Sequence, residues 1–259
     1  MKSWPIRQMI CAIAVFLHSG LCFATGAVPI RACTEDNDSY PWLILGQVGV
    51  TNFQLKMVER RLGSKIELTP LPWRRCIAEV QAGTRDAAIK ISFSPSRAME
   101  VGVFPMHQGK LDVSKRLHFD SYSLYRVKGS AVSWDGKVLK ATGKIGAQAG
   151  FSIIEQLQAL GAQIDEGGRS AEEHLQKMLL GRVVAVALQT NQGDSALAKN
   201  PEFKLNIERI TPLLVEKPYF LMFSKQFYQQ NPEFSAAVWQ TIELVRESPE
   251  YVKYLQTIH

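Results

Sequence analysis

Residues 66–97 read IELTPLPWRRCIAEVQAGTRDAAIKISFSPSR, and the order of patterns within them decides the fold. Ile66 and Leu68 alternate with polar neighbours, the period-two signature of a strand. Pro72 then opens a short helix, where its missing N–H is harmless. Cys76, Ile77 and Val80 fall on one face of that helix, and Gly83 ends it. Asp86–Ser92 is a further strand. Upstream, Pro29–Cys33 reads as a strand and Thr34–Trp42 (TEDNDSYPW) as a polar loop. A helix is expected over about 51–62, capped by Thr51 or Asn52, with Phe53, Met57, Val58 and Leu62 on one face and Gly63 after it. Strand, helix, strand, helix, strand in this order implies a parallel sheet with crossover helices.

Downstream, Ser121–Val127 alternates again, and a second set of elements follows. GKIGAQ (143–148) is a strand, FSIIEQLQALG (151–161) a helix closed by Gly161, and AQID (162–165) a strand. The next helix begins at a Ser170…Glu173 capping box. RVVAVALQ (182–189) is apolar on both faces and so is expected to be central and buried. EKPYFLMFSK (216–225) is strand-like, and helices over 233–247 and 249–258 finish the chain. Strand-like crossings near 121–127 and 217–223 imply two lobes with a cleft between them. We find no internal repeat and no low-complexity linker.

The N-terminus reads as a secretory signal peptide over residues 1–24: Lys2 and Arg7 without an acid, the apolar run Met9–Leu17, and small Ala24 or Ala27 at the cut. Cys22 follows Leu21, so no lipid-anchor motif is present and a protein exported to the periplasm is expected. Lys2 and Arg7 leave with the leader, so the formal charge falls from +6 to +4, with no cluster that would mark a nucleic-acid surface. Cys33 and Cys76 remain in an oxidising compartment, as a disulfide or as two buried thiols; the compartment favours the disulfide.

No hydrolase, nucleotide-binding or metal-ligand spacing occurs, and His107, His118, His174 and His259 are scattered. No cofactor and no catalytic residue is expected. What the chain offers lies where parallel strands end, the place where open α/β sheets bind ligands. Arg97, in the first turn of a helix, is either a solvated residue or a bidentate carboxylate holder. Trp42, Trp73 and Phe93 offer an apolar wall or a surface for a cation, with core packing the other reading for Trp73. Lys90 points into the cleft or snorkels to the surface, and Tyr219 packs by a crossover or reaches the cleft.

The ordered set YPW, LPWRRCIAEVQAG, S-x-S-x-x-R, VGVFP, GKIGAQAGFS, L-x-GRVVAVAL and EKPYFLMFSK resembles the family 3 extracellular solute-binding proteins over about residues 29–258. These are periplasmic receptors that deliver polar amino acids and related solutes to ABC importers. The resemblance implies the type II periplasmic binding fold, with one α/β lobe from 25–120 plus 220–259 and the other from 121–219. It also implies a small-molecule ligand, a membrane permease as partner and a monomer. Arg97 matches the arginine that holds the substrate carboxylate. Ser92 and Ser94 match a ligand-contacting serine and a threonine, and Gly150-Phe151-Ser152 matches a turn facing the carboxylate. Gln189 and Val184 depart from the pattern, standing where aspartates are usual; at Gln189 the usual aspartate takes a substrate ammonium. Two other readings belong to this scaffold: a dehydratase acting on prephenate-like acids, with Asp36 or Asp38 as proton donor, and a sensor handing its signal to a membrane partner.

Overall fold

A computed structural model describes residues 28–44 and 46–258. The signal-peptide segment lies outside the described residues. Strands β1 (Ile30–Glu35), β2 (Ile66–Leu71) and β3 (Ala87–Ser92) are parallel with β1 in the middle, crossed by α1 (Val50–Leu62) and α2 (Trp73–Gln81). Pro95–Glu100 forms the short helix α3 after β3. Strands β4 (His118–Val127), β5 (Lys144–Ala147), β6 (Gln163–Asp165), β7 (Ala185–Gln189) and β8 (Ile207–Ser224) complete the main sheet. Its order is β6-β5-β7-β4-β8-β3-β1-β2, and a ninth strand, Gly102–Val103, pairs with the end of β8. Strands β5, β6 and β7 are parallel, with α4 (Ile153–Ala159) and α5 (Ala171–Leu179) as crossovers. β4 and β8 lie antiparallel to each other between the two parallel sets and join them.

Each half buries apolar residues on both sheet faces. In the first, Ile30, Ala32, Ile89, Leu221 and Phe223 pack beneath α1, α9 (Pro232–Arg246) and α10 (Pro249–Gln256). The opposite face packs Ala88, Ile91, Phe220 and Met222 against Cys76 and Val80 of α2. There Cys33 and Cys76 form the disulfide, with Cα atoms 5.7 Å apart, tying β1 to α2. In the second half, Leu124, Ile145, Ala185 and Ala187 face α4, while Tyr125, Val186 and Leu188 face α5 and α6 (Thr190–Lys199).

Three differences from the sequence reading have physical causes. α1 starts at Val50 and its N-cap is Gly49, not Thr51 or Asn52. The N–H groups of Val50 and Thr51 are met by the carbonyls of Pro41 and Trp42, at 3.1 and 2.9 Å, so no side-chain cap is needed. A Cβ at Gly49 would lie 2.7 Å from the Trp42 carbonyl, so this approach is open to glycine alone. β8 is 18 residues long and begins at Ile207, well before residue 216. Its pairing shifts between Ile210 and Val215, around Pro212, which erases the alternation a sequence reader looks for. The helices α6, α7 (Pro201–Asn206) and α8 (Lys225–Gln230) also went unread; two are only six residues long, and α6 carries Gly193 in its middle.

Candidate functional site

The carboxyl ends of β1, β3, β5 and β7 converge where β4 and β8 cross from one half to the other. They enclose an inner cavity of about 10 Å³. Glu35, Trp73, Lys90, Ser92 and Arg97 line it from one side and Phe151 and Gln189 from the other, with Tyr122 and Tyr219 on the crossing strands. An outer chamber of about 400 Å³ adjoins it, sharing Glu35, Trp73 and Phe151 and adding Arg74, Gln148 and Arg169.

Arg97 sits in α3 because Ser94 caps that helix and Pro95 occupies its first turn. Its guanidinium donates to the Ser92 carbonyl at 2.8 Å and the Ser92 hydroxyl at 3.1 Å, and across the cleft to the Gly150 carbonyl at 2.7 Å. It also lies over the Trp73 ring at 5.8 Å. Arg97 is buried and has no ion pair among the described residues. Burial pulls its pKa down, partly opposed by the fields of Tyr122, Tyr219 and Glu155. Lys217, on β8, repeats the pattern. Its ammonium donates to the Ser152 hydroxyl at 3.0 Å and carbonyl at 3.1 Å and has no ion pair among the described residues, although the charge of Glu155 acts on it. Burial, then the charge of Arg97, pushes its pKa down to about 8. Two neighbouring cations held only by carbonyls and hydroxyls form a site that favours an anion.

Lys90 reaches the cavity through a defect in β3. Phe220 pairs with Ile91 and Leu221 with Ile89, so Lys90 is the extra residue of a β-bulge, with φ of 60°. The alternation slips at that point: Ala88 and Ile91 face one core, Ala87 and Ile89 the other. The Lys90 side chain is 1% exposed; its ammonium donates to Glu35 at 2.7 Å and to Gln189 Oε1 at 2.8 Å. Gln189 Oε1 also accepts from Ser39 at 2.9 Å, and its amide nitrogen donates to the Tyr219 hydroxyl at 2.8 Å. Tyr219 donates in turn to Tyr122 at 3.2 Å. Burial raises the pKa of both phenols, so they remain neutral.

The two halves touch directly around this cavity. The Ser92 and Ser152 hydroxyls are 2.7 Å apart, Ser96 donates to Glu155 at 2.6 Å, and Arg74 pairs with Glu166 at 2.6 Å. Behind the cleft, His118 is stacked on Trp42 at 3.7 Å and on Tyr219 at 5.4 Å, with both ring nitrogens buried and unpartnered. Among the described residues no group of three or more potential ligands could hold a metal, and no helix is long and apolar enough to cross a membrane.

No family model matches the chain, and no curated protein does. Solved structures match it along most of its length. An amino acid ABC transporter substrate-binding protein from Streptococcus pneumoniae, bound to L-arginine, is 20% identical with a TM-score of 0.66, over 89% of this chain and 94% of its own. A histidine kinase sensor domain with similarity to periplasmic binding proteins is 13% identical with a TM-score of 0.69, over 88% and 95%. An ancestral amino-acid-binding protein, a precursor of cyclohexadienyl dehydratase, is 17% identical with a TM-score of 0.63, over 89% and 95%. The chain has the type II periplasmic binding fold.

Within that fold, the residues singled out from sequence divide clearly. Trp73, Ser92, Arg97, Phe151 and Gln189 line the inner cavity, while Gly150 and Ser152 lie beside it, bonded to Arg97 and to Ser92. Ser94 is the cap of α3, and its hydroxyl meets Ser96 at 2.9 Å and Glu155 at 3.3 Å. Phe93 does not line the cavity: it packs edge-on against Phe104, because Ser92 takes the cleft-facing position. Trp42 stands back from the cavity wall, against His118. The sequence reading did not select Glu35, Tyr122 or Lys217. Glu35 is the last residue of β1, so the strand-end rule pointed at it, but the acids Asp36 and Asp38 just beyond drew the attention.

Proposed function

We propose that this chain is an exported, non-catalytic solute receptor that holds a small carboxylate between its halves and presents it to a membrane permease. Arg97 carries the reading: a buried cation without an acid partner, bonded to Ser92 on one side of the cleft and to Gly150 on the other. A carboxylate there would neutralise it and link both halves. The lobes would be residues 25–120 with 220–259, and 121–219, hinged where β4 and β8 cross near His118–Tyr122 and Val215–Tyr219. A hinged receptor works as a monomer in the periplasm, where an oxidised Cys33–Cys76 bridge persists. The fold similarity to an arginine-bound transport protein supports this class of ligand.

The test is a thermal-shift and calorimetric screen of the mature chain, freed of co-purified ligand, against small carboxylates. A ligand at 100 times its Kd should stabilise the folded state by about 2.7 kcal/mol. Arg97→Met should remove the shift. A carboxylate that binds equally to the variant would refute the role of Arg97. Conversion of prephenate or arogenate by the pure protein would replace the receptor reading with an enzymatic one.

A further inference from the structure

Resting on the carboxylate reading, we infer that Lys90 is a built-in ammonium, so that the cleft selects a hydroxyl-bearing carboxylate over the corresponding α-amino acid. Among the described residues Glu35 is the sole carboxylate on the inner cavity wall, and it is already paired with Lys90 at 2.7 Å. Gln189 is neutral, and its carbonyl oxygen is occupied by Lys90 and Ser39. An ammonium entering with the ligand would meet Lys90 and Arg97 on the wall, with Lys217 just outside it on Ser152, and among the described residues would find no acid on the wall but the paired Glu35. Asp120, on β4, also feels the charge of Lys90 and has an unpartnered Oδ2, but it is not among the residues that line the cavity.

The pair is also fixed in place. Lys90 occupies a bulge with a positive φ, a conformation that a lysine adopts only where its surroundings impose it. Its ammonium is gripped from both halves, by Glu35 and by Gln189. Among the described residues one side-chain polar atom of the wall is left over: Glu35 Oε2, buried and without a hydrogen-bond partner. An oxygen already half-neutralised by Lys90 suits a neutral donor, and a ligand hydroxyl is the simplest one. A carboxylate on Arg97 with a hydroxyl directed at Glu35 would use both loose ends of the site.

The experiment is calorimetry on the full mature chain with matched series: L-glutamate, 2-hydroxyglutarate and 2-oxoglutarate; L-phenylalanine, phenyllactate and phenylpyruvate. In at least one series the hydroxy acid should bind ten times more tightly than the amino acid, with the oxo acid between them. Lys90→Met, or Lys90→Gln should the first variant not fold, should shrink or reverse that ratio by freeing Glu35. A wild-type protein that prefers the amino acid while still losing binding in Arg97→Met would overturn this inference and leave the receptor reading standing. Failure of every acid to bind would overturn both. Equal ratios in wild type and in the Lys90 variants would also overturn it.

Discussion

Asp120 allows a sharp test of the electrostatics at the crossing strands. Burial raises its pKa from 3.8 to about 6, against the opposing field of Lys90 and the hydrogen bond from the Ser121 amide at 2.8 Å. Below about pH 3 the carboxyl is protonated in both the folded and the unfolded chain. Between pH 4 and 6 the unfolded chain releases the proton while the folded one retains it, so this group makes stability fall as pH rises. Above about pH 6 the loss is complete. Roughly two pK units at 1.36 kcal/mol each correspond to about 3 kcal/mol. Asp120→Asn removes that charge. The asparagine carbonyl can keep the Ser121 bond, but its NH₂ would then face the Trp42 indole N–H, a donor that helps to hold the wild-type carboxylate. A donor left unsatisfied there costs on the order of 1–2 kcal/mol. At pH 7 the variant should therefore be more stable by about 1–2 kcal/mol, and at pH 4 less stable than wild type. Urea unfolding from pH 4 to 8 measures both curves, and their difference isolates Asp120 from all other groups. Parallel curves would show that Asp120 is not perturbed and that its surroundings are wetter than described.

Three other outcomes are expected. Lys217, with its pKa at about 8 in the folded chain against 10.5 unfolded, should make stability rise with pH between about 8 and 10.5. A bound carboxylate should restore its proton, so binding at pH 8 should take up protons, read by calorimetry in buffers of different ionisation enthalpy, and Lys217→Met should abolish the uptake. Reduction of the Cys33–Cys76 bridge, or the double alanine variant, should lower stability by about 2–5 kcal/mol in urea titrations, because the bridge closes a loop spanning 43 residues. Gly193→Ala should destabilise by about 1–3 kcal/mol despite the better helix propensity of alanine, since its Cβ would fall 2.3 Å from Cζ of the buried Tyr125 ring. A neutral or stabilising Gly193→Ala would mean that α6 can move off β4.

Much of the fold was legible because its signals are local. Period-two strands, Gly63 and Gly161 after helices and the Ser170 cap, whose hydroxyl accepts from the Glu173 amide at 3.2 Å, all act within a few residues. Crossings at Ser121–Val127 and Lys217–Phe223 were seen only in part, since β4 starts at His118 and β8 at Ile207. Of the site, Arg97, Ser92 and Trp73 could be read from their place after β3 and at the start of α2. Lys90 could not. Simple alternation along β3 assigns a face to each residue in turn, and a bulge reverses that assignment from Lys90 onward. The bulge itself depends on pairing with β8, which lies about 130 positions downstream in the sequence. Lys217 and Tyr122 escaped for the same reason: the chain crossing brings them to Arg97, and no local pattern records it.

The bonds across the cleft also bound what binding can yield. A cavity of about 10 Å³ has room for about one water molecule. A carboxylate solute is larger than that space, so seating one against Arg97 would loosen the contacts that close it: Arg97 with Gly150, Ser92 with Ser152 and Lys90 with Gln189. Binding is then an exchange of protein–protein hydrogen bonds for protein–ligand ones, each worth only the difference between the two. The Arg97 and Lys217 bonds gain in the exchange, because a carboxylate replaces neutral acceptors with a charged one. The Lys90–Glu35 pair gains nothing from a competing ammonium, since one cation would displace another. Affinity is thus drawn from the cation end of the cleft, while the Lys90 end sets which carboxylates are admitted.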